Sequence, residues 1–229
     1  MPSMCKKVVV FDLDDTLYKE IDFLKSGYRK VSELVEKKYG LDAHEVYARL
    51  LSWYNQEKNP FETLNDAYRV ENPISDYLNV YRYHHPTLQL SSEVVKVLTA
   101  LKEGGVLMGI ISDGREETQK NKIDALDLTE WVNSDLVFIN EDKKYFKPNH
   151  WSYNRMMLAC FDKNLETDAT FYYVGDNTEK DFLAPNQLGW KTVMLIDDGR
   201  NIHKQNMELP TEYLPQYTIE NLVELLDLI

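Results

Sequence analysis

The sequence predicts an α/β protein, a doubly wound parallel sheet with a helical insert directly after its first strand. Two observations carry the sheet. Short, nearly continuous runs of β-branched and aromatic residues recur along the chain, and helix-period segments separate them. A third observation carries the insert: one long stretch near the start has helical patterns and no convincing strand run.

The strand runs fall at residues 7–11, 106–111, 136–139, 171–174 and 192–196. Each is apolar almost throughout, as strands covered on both faces of a parallel sheet are. Residues 92–102 read as a helix with Val94, Val95, Leu98 and Leu101 inward, and residues 151–161 as another. The final segment sets Ile219, Leu222, Val223, Leu226 and Ile229 on one helical face, with Thr218 as its N-cap. Between residues 18 and 90 three helical patterns appear: Val31, Leu34 and Val35, then Val46, Leu50 and Leu51, then Tyr77, Val80 and Tyr81. Breaks fall at Gly40, Pro60, Pro73 and Pro86. The expected organisation is therefore a Rossmann-like core of residues 1–17 and 91–229, with a helical domain at 18–90. Nine of the fifteen tyrosines lie between Tyr18 and Tyr83 and read mostly as helix-packing residues. The neighbouring His84 and His85 would point in different directions on a helix, so they read as a helix end rather than a ligand pair.

Composition excludes several classes of function. A net charge of -12 and a pI of about 4.9 repel phosphate backbones and anionic lipid, against nucleic-acid or membrane-surface partners. No apolar run approaches the ~18 residues a membrane span needs. Lys6 and Lys7 precede only Val8-Val9-Val10-Phe11 before Asp12, too short for a signal peptide. Cys5 and Cys160 have no metal or redox spacing and read as free thiols in a reducing compartment, the cytoplasm.

Chemistry concentrates where strands end. The first strand runs into Asp12-Leu13-Asp14-Asp15-Thr16, the second into Ser112-Asp113-Gly114 and the fourth into Gly175-Asp176-Asn177, with Asp181 a helical turn on. Ligands of open α/β sheets bind outside the carboxyl ends of the strands, so these residues face one crevice. Two carboxylates 4 Å apart repel by about 4 kcal/mol at an effective dielectric of 20. A cluster of them needs a cation, and hard carboxylate oxygens suit Mg²⁺ better than zinc.

Asp12-x-Asp14-x-Thr16 after a strand, Ser112 at the end of the next, Lys147-Pro148, and Gly175-Asp176 with Asp181 resemble, in order, the four motifs of the haloacid dehalogenase (HAD) superfamily. The resemblance implies a phosphoric monoester hydrolase that works through an aspartyl-phosphate. Asp12 would be nucleophile and Mg²⁺ ligand, Asp14 the acid and then base, its backbone carbonyl also on the metal. Ser112 and Lys147 would hold the phosphoryl oxygens, Lys147 orienting Asp12, and Asp113 would touch phosphate through its backbone or serve only as a turn. Asp176 would ligate the metal directly, with Thr16, Asn177 and Asp181 supporting from behind. Lys143 and Lys144 compete for the lysine role, and Lys147 is preferred because Pro148 follows. The family's usual Lys-Pro-Asp-Pro is Lys147-Pro148-Asn149-His150 here, a looser match.

By the same resemblance the insert is a cap of the first class, which favours a small phosphorylated metabolite: a sugar phosphate, phosphoglycolate or a nucleotide. Three alternatives stand beside the phosphatase: a phosphomutase on the same scaffold, a dehalogenase, and a non-catalytic binding protein. Asp14 argues against the dehalogenase, and retention of Asp12 and Lys147 against the binding protein. Oligomeric state is not legible.

Overall fold

The computed structural model describes residues 5–161, 163 and 165–229. Its chain runs β1 (Cys5–Phe11), α1 (Glu20–Tyr39), α2 (Ala43–Asn55), α3 (Pro60–Tyr68), α4 (Ile74–Tyr83), α5 (Ser92–Glu103) and β2 (Leu107–Asp113). It continues through α6 (Glu116–Ala125), β3 (Val137–Asn140), α7 (Trp151–Phe161), β4 (Leu165–Gly175), α8 (Leu183–Gln187), β5 (Lys191–Leu195), β6 (Tyr217–Ile219) and α9 (Leu225–Leu228). The strands form one sheet in the order β3-β2-β1-β4-β5-β6, every described pairing parallel. The doubly wound α/β fold expected from the sequence is thus the one observed.

The order explains where a site belongs. The chain leaves β1 toward β2 and β3, then crosses back to lay β4 on the other side of β1. The crevice between the carboxyl ends of β1 and β4 is the topological switch point, where open α/β sheets bind ligands. Val8, Val9, Val10 and Phe11 of β1 are wholly buried, as a central strand covered on both faces requires. Tyr153, Met156 and Cys160 of α7 pack with Val8, Val10 and Tyr173 in the core. Cys160 is buried, while the Cys5 side chain lies outside the described residues. No helix among the described residues is long and apolar enough to cross a membrane.

Two expectations are corrected. In α5 the inward stripe is Val94, Val97, Leu98 and Leu101, and Val95 is exposed. Ser91 accepts from the Val94 N–H and caps the helix, which begins at Ser92 as expected, and the i, i+3, i+4, i+7 face counted from Val94 takes Val97 and leaves Val95 outside. At the C-terminus Thr218 does not cap a helix but lies in β6, paired with Met194 of β5. Tyr217-Thr218-Ile219 is a β-prone triplet beside the open edge of β5, and the ladder it completes outweighs the helical periodicity. The cap is Asn221, in a reciprocal box with Glu224. The single 3₁₀ turn after it steps by three, so Leu222 and Leu225 are buried where Leu222 and Leu226 were expected.

The chain divides into two compact units, one running to Glu20 and resuming at Gln89–Ile229, the other Ile21–Leu88. The expected boundary was 18–90; Tyr18 and Lys19 belong with the first unit, where Tyr18 bonds Asp14 and Lys19 bonds Asn201. The second unit is helical. Pro60 opens α3 rather than breaking a helix, at the first helical position behind the Asn59 cap. Aromatic rings fill its interior: Phe61 lies 5.6 Å from Tyr77 and 5.9 Å from Tyr28, and Phe23 4.9 Å from His84. His84 is buried, its ring nitrogens on the Tyr81 carbonyl (2.8 Å) and the Ser26 hydroxyl (3.0 Å), whereas His85 is exposed.

Candidate active site

The parallel ladder delivers the carboxylates. The Asp12 N–H extends β1 by donating to the Val174 carbonyl of β4 at 2.8 Å, which carries Asp12 to the switch point beside Asp176. Lys147 arrives from the segment after β3. Its Nζ donates to Asp12 Oδ1 (2.6 Å), Asp181 Oδ1 (2.7 Å) and the Tyr173 hydroxyl (3.1 Å), all buried. Lys143 and Lys144 lie exposed, Lys144 paired with Asp142.

Asp181 is committed on both oxygens. Oδ1 takes Lys147, and Oδ2 accepts from the Asp176 and Asn177 N–H groups at 3.1 and 2.8 Å. That approach needs Gly175, because a Cβ there would sit 2.6 Å from Asp181 Oδ2. Asp113 braces the lysine loop with its carboxylate, accepting from the Lys147 N–H (3.1 Å) and Asn140 Nδ2 (2.8 Å). Thr16 is buried, and its hydroxyl finds no hydrogen-bond partner among the described residues.

Asp14 has a different environment. Lys122 Nζ donates to both its oxygens (2.7 and 3.0 Å), Gln119 Nε2 to Oδ2 (2.8 Å), and the Tyr18 hydroxyl to Oδ1. Gln119 Nε2 also reaches Ser112 Oγ at 2.6 Å. A hydroxyl that accepts there keeps its own proton to donate elsewhere. Sequence reasoning missed Gln119 and Lys122. The signal was the inward face of α6, which reads Thr118, Gln119, Lys122 and Ile123 where an apolar stripe is the norm. It also missed the loop after β5, in which Asn201 Nδ2 donates to Asp176 Oδ2 (2.9 Å) and the Ile202 N–H to Asp15 Oδ2 (2.9 Å).

These residues surround a cavity of about 230 Å³ lined by Asp12, Asp14, Asp15, Glu20, Asp113 and Asp176 together with Ser112, Lys147, Lys180 and His203. The carboxylates outnumber the cations, and burial then decides their ionisation. It pushes Asp12 up to about 7, with Lys147 opposing and Asp181 adding. Burial, Asp181 and Asp12 push Asp176 to about 9, and burial with Asp14 pushes Glu20 to about 8. For Asp14 burial also acts upward, but Lys122, Tyr18 and Gln119 outweigh it and hold the group below the usual carboxylate range. Oxygen atoms of Asp12, Asp176 and Asp181 lie within 4.8 Å of one another. An all-oxygen, acid-rich donor set of this kind fits a hard divalent cation.

A parallel sheet with buried carboxylates and a lysine at its switch point defines a doubly wound α/β protein with an acid-rich candidate active site. The model of the haloacid dehalogenase-like hydrolases matches residues 9–195, so the chain belongs to that family, and the match spans Asp12, Asp14, Ser112, Lys147, Asp176 and Asp181. A glyceraldehyde 3-phosphate phosphatase of Methanocaldococcus jannaschii is 26% identical over 97% of this chain and 96% of its own. One of Pyrococcus furiosus is 28% identical over 97% and 92%. Among solved structures, a HAD phosphatase from Thermococcus onnurineus is similar in fold, with a TM-score of 0.60, 19% identity and 97% coverage of both chains.

Proposed function

We propose that this chain is a Mg²⁺-dependent phosphatase that hydrolyses a small phosphomonoester through an aspartyl-phosphate on Asp12, with a triose phosphate such as glyceraldehyde 3-phosphate as the best candidate substrate. The observation that carries the reading is Lys147, buried and bonded at once to Asp12 and Asp181 beside Asp176 at the switch point. Relatives named as glyceraldehyde 3-phosphate phosphatases support the substrate. So does the cavity of about 230 Å³, smaller than the roughly 300–1,000 Å³ of drug-sized pockets.

Asp12 attacks phosphorus as the bond to the leaving oxygen breaks, and that oxygen takes the proton carried by Asp14. Water then attacks the phosphoryl group, gives its proton to Asp14, and Asp12 is released as the carboxylate with free phosphate. Lys147 holds Asp12 in line and meets the phosphoryl charge, while the Ser112 hydroxyl donates to a phosphoryl oxygen. Asp12, Asp176 and the Asp14 carbonyl would hold Mg²⁺, which supplies charge neutralisation to the phosphoryl oxygens when bound. Asp181, already committed to Lys147 and two backbone N–H groups, positions rather than ligates. In this reading the unit Ile21–Leu88 is the family's cap and selects among esters.

The test is phosphate release from a panel of phosphorylated metabolites with Mg²⁺ and with excess chelator. Triose phosphates should lead the panel, and only with the metal. Full turnover in chelator would overturn the metal assignment, and preference for a nucleotide would overturn the substrate.

A further inference from the structure

We infer that Lys122 and Gln119 are positioning residues for Asp14: they reach both of its oxygens and tie it to Ser112, so that the group stays aimed at the reacting phosphoryl group as it gains and loses its proton. A carboxylate offers about four acceptor sites, and here four contacts fill them. Lys122 spans Oδ1 and Oδ2, Tyr18 adds to Oδ1 and Gln119 to Oδ2. Lys122 and Gln119 are themselves buried, three residues apart on one face of α6. Gly114, at φ +145°, makes room for the Gln119 amide, since a Cβ there would stand 3.3 Å from it. None of these contacts serves to close the sheet or its core. Their convergence on one carboxylate and one hydroxyl is what assigns them a role.

The inference rests on Asp14 being the acid and base. During the first step Asp14 gives a proton to the leaving oxygen; during the second it takes one from water, and because four donors occupy its acceptor sites each protonation displaces one of them while the others keep the group aimed. A carboxylate free to rotate would miss both. Gln119 holds Ser112, which faces the phosphoryl group, and Asp14, which faces its leaving oxygen, 2.6 and 2.8 Å from the same nitrogen. The two ends of the breaking bond are thereby kept in register.

A double-mutant cycle tests this, with glyceraldehyde 3-phosphate and 2,4-dinitrophenyl phosphate as probes. Lys122→Met should lower kcat on the triose phosphate by about 10- to 100-fold, part of the roughly 10²–10⁴-fold that a positioned acid or base contributes. KM should stay within about threefold, because uniform binding is untouched. Dinitrophenolate leaves without a proton, so the first step should survive on that ester and the second should not. Lys122→Met should then match Asp14→Asn: a burst of one equivalent of phenolate followed by slow turnover. In the Asp14→Asn background Lys122→Met should cost nothing further, since both charges of the Lys122–Asp14 pair are then removed together. Where Lys122→Met does not fold, Lys122→Gln, which keeps a donor and drops the charge, is read in the same way. Losses that add across the two backgrounds, or an unchanged kcat in the folded single variant, would overturn the inference while leaving Asp14 in its role. A fully active Asp14→Asn protein would instead overturn the role of Asp14, and the inference with it.

Discussion

Asp12 and Asp14 leave the same strand end two residues apart, and each meets a buried lysine, yet their surroundings set them in opposite states. Lys147 is shared: it serves Asp12 and Asp181, with Asp176 close by. One ammonium among three carboxylates leaves that end short of positive charge, and burial carries Asp12 to about 7. Lys122 donates to both oxygens of Asp14, with two neutral donors beside it, and Asp14 stays below the usual range. Two carboxylates therefore acquire two characters from position, not residue type. The Asp12 end carries an excess of negative charge, and the Asp14 end is balanced by its donors. That contrast suits a nucleophile that needs a metal and an acid/base that needs holding.

The strongest way to break the comparison is to remove the groups themselves. Asp12→Asn should cost several orders of magnitude in turnover and abolish covalent labelling by phosphate, read by mass spectrometry of the quenched enzyme. Asp14→Asn should cost about 10²–10⁴-fold on an alkyl phosphate while Mg²⁺ still binds. Absence of a dinitrophenolate burst in the Asp14→Asn protein would erase the distinction between the two carboxylates.

Stability offers a second contrast. Lys147→Met strands Asp12 and Asp181 in the core, and breaking a buried pair typically costs about 3–5 kcal/mol. Urea unfolding should show a loss of that order at pH 8 and a smaller one at pH 5.5, where Asp12 can accept a proton. A pH-independent loss would mean that Asp12 is not the crowded group.

Metal removal should tilt the pH dependence in a definite direction. Asp12, Glu20 and Asp176 titrate near 7, 8 and 9 in the folded chain, above their unfolded values. The folded state then binds more protons than the unfolded one between about pH 4 and 9, so stability falls as pH rises across that window. Asp14 is shifted the other way, and its contribution is lost only as pH falls through its lowered folded value. In chelator the melting temperature should fall from pH 6 to pH 9, and Mg²⁺ should flatten the slope. A flat profile in chelator would show that the carboxylates are not crowded.

Much of this was legible in the sequence, for a physical reason. Strand runs such as Val8-Val9-Val10-Phe11 are self-declaring because both faces are buried, and a parallel sheet brings the residues after each run to one edge. The placement of Asp12, Ser112 and Asp176 at one edge could therefore be expected from the sequence, whereas Lys147 is preferred over Lys143 and Lys144 only through the family's Lys-Pro pattern. Lys122 and Gln119 could not be expected, because a lysine on a helix usually lies in solvent and only the tertiary fold turns this one inward. Asp113 read as a turn or a phosphate contact, and only the placement of Asn140 and Lys147 shows what its carboxylate does. At Thr218 the partner strand, distant in sequence, outweighed local periodicity.

The smallest expected effect sharpens the comparison at its edge. Thr16 lies in the turn that follows Asp14, closed by the Leu17 N–H on the Leu13 carbonyl at 3.1 Å, and the family resemblance gives it a supporting role. Its hydroxyl is nevertheless buried without a partner among the described residues, which costs about 1–3 kcal/mol for an unsatisfied group. Thr16→Val keeps the branched shape and removes the oxygen. If support comes from shape, the variant should be as stable as the parent or up to about 1 kcal/mol more stable, with turnover within about threefold. If support comes from the hydroxyl once ligand and metal are in place, stability should be unchanged without Mg²⁺ while its stabilisation by Mg²⁺ falls. Urea unfolding with and without Mg²⁺ separates the two. A loss of about 1 kcal/mol or more in chelator alone would contradict both, since only a hydroxyl already bonded in the metal-free fold has that much to lose.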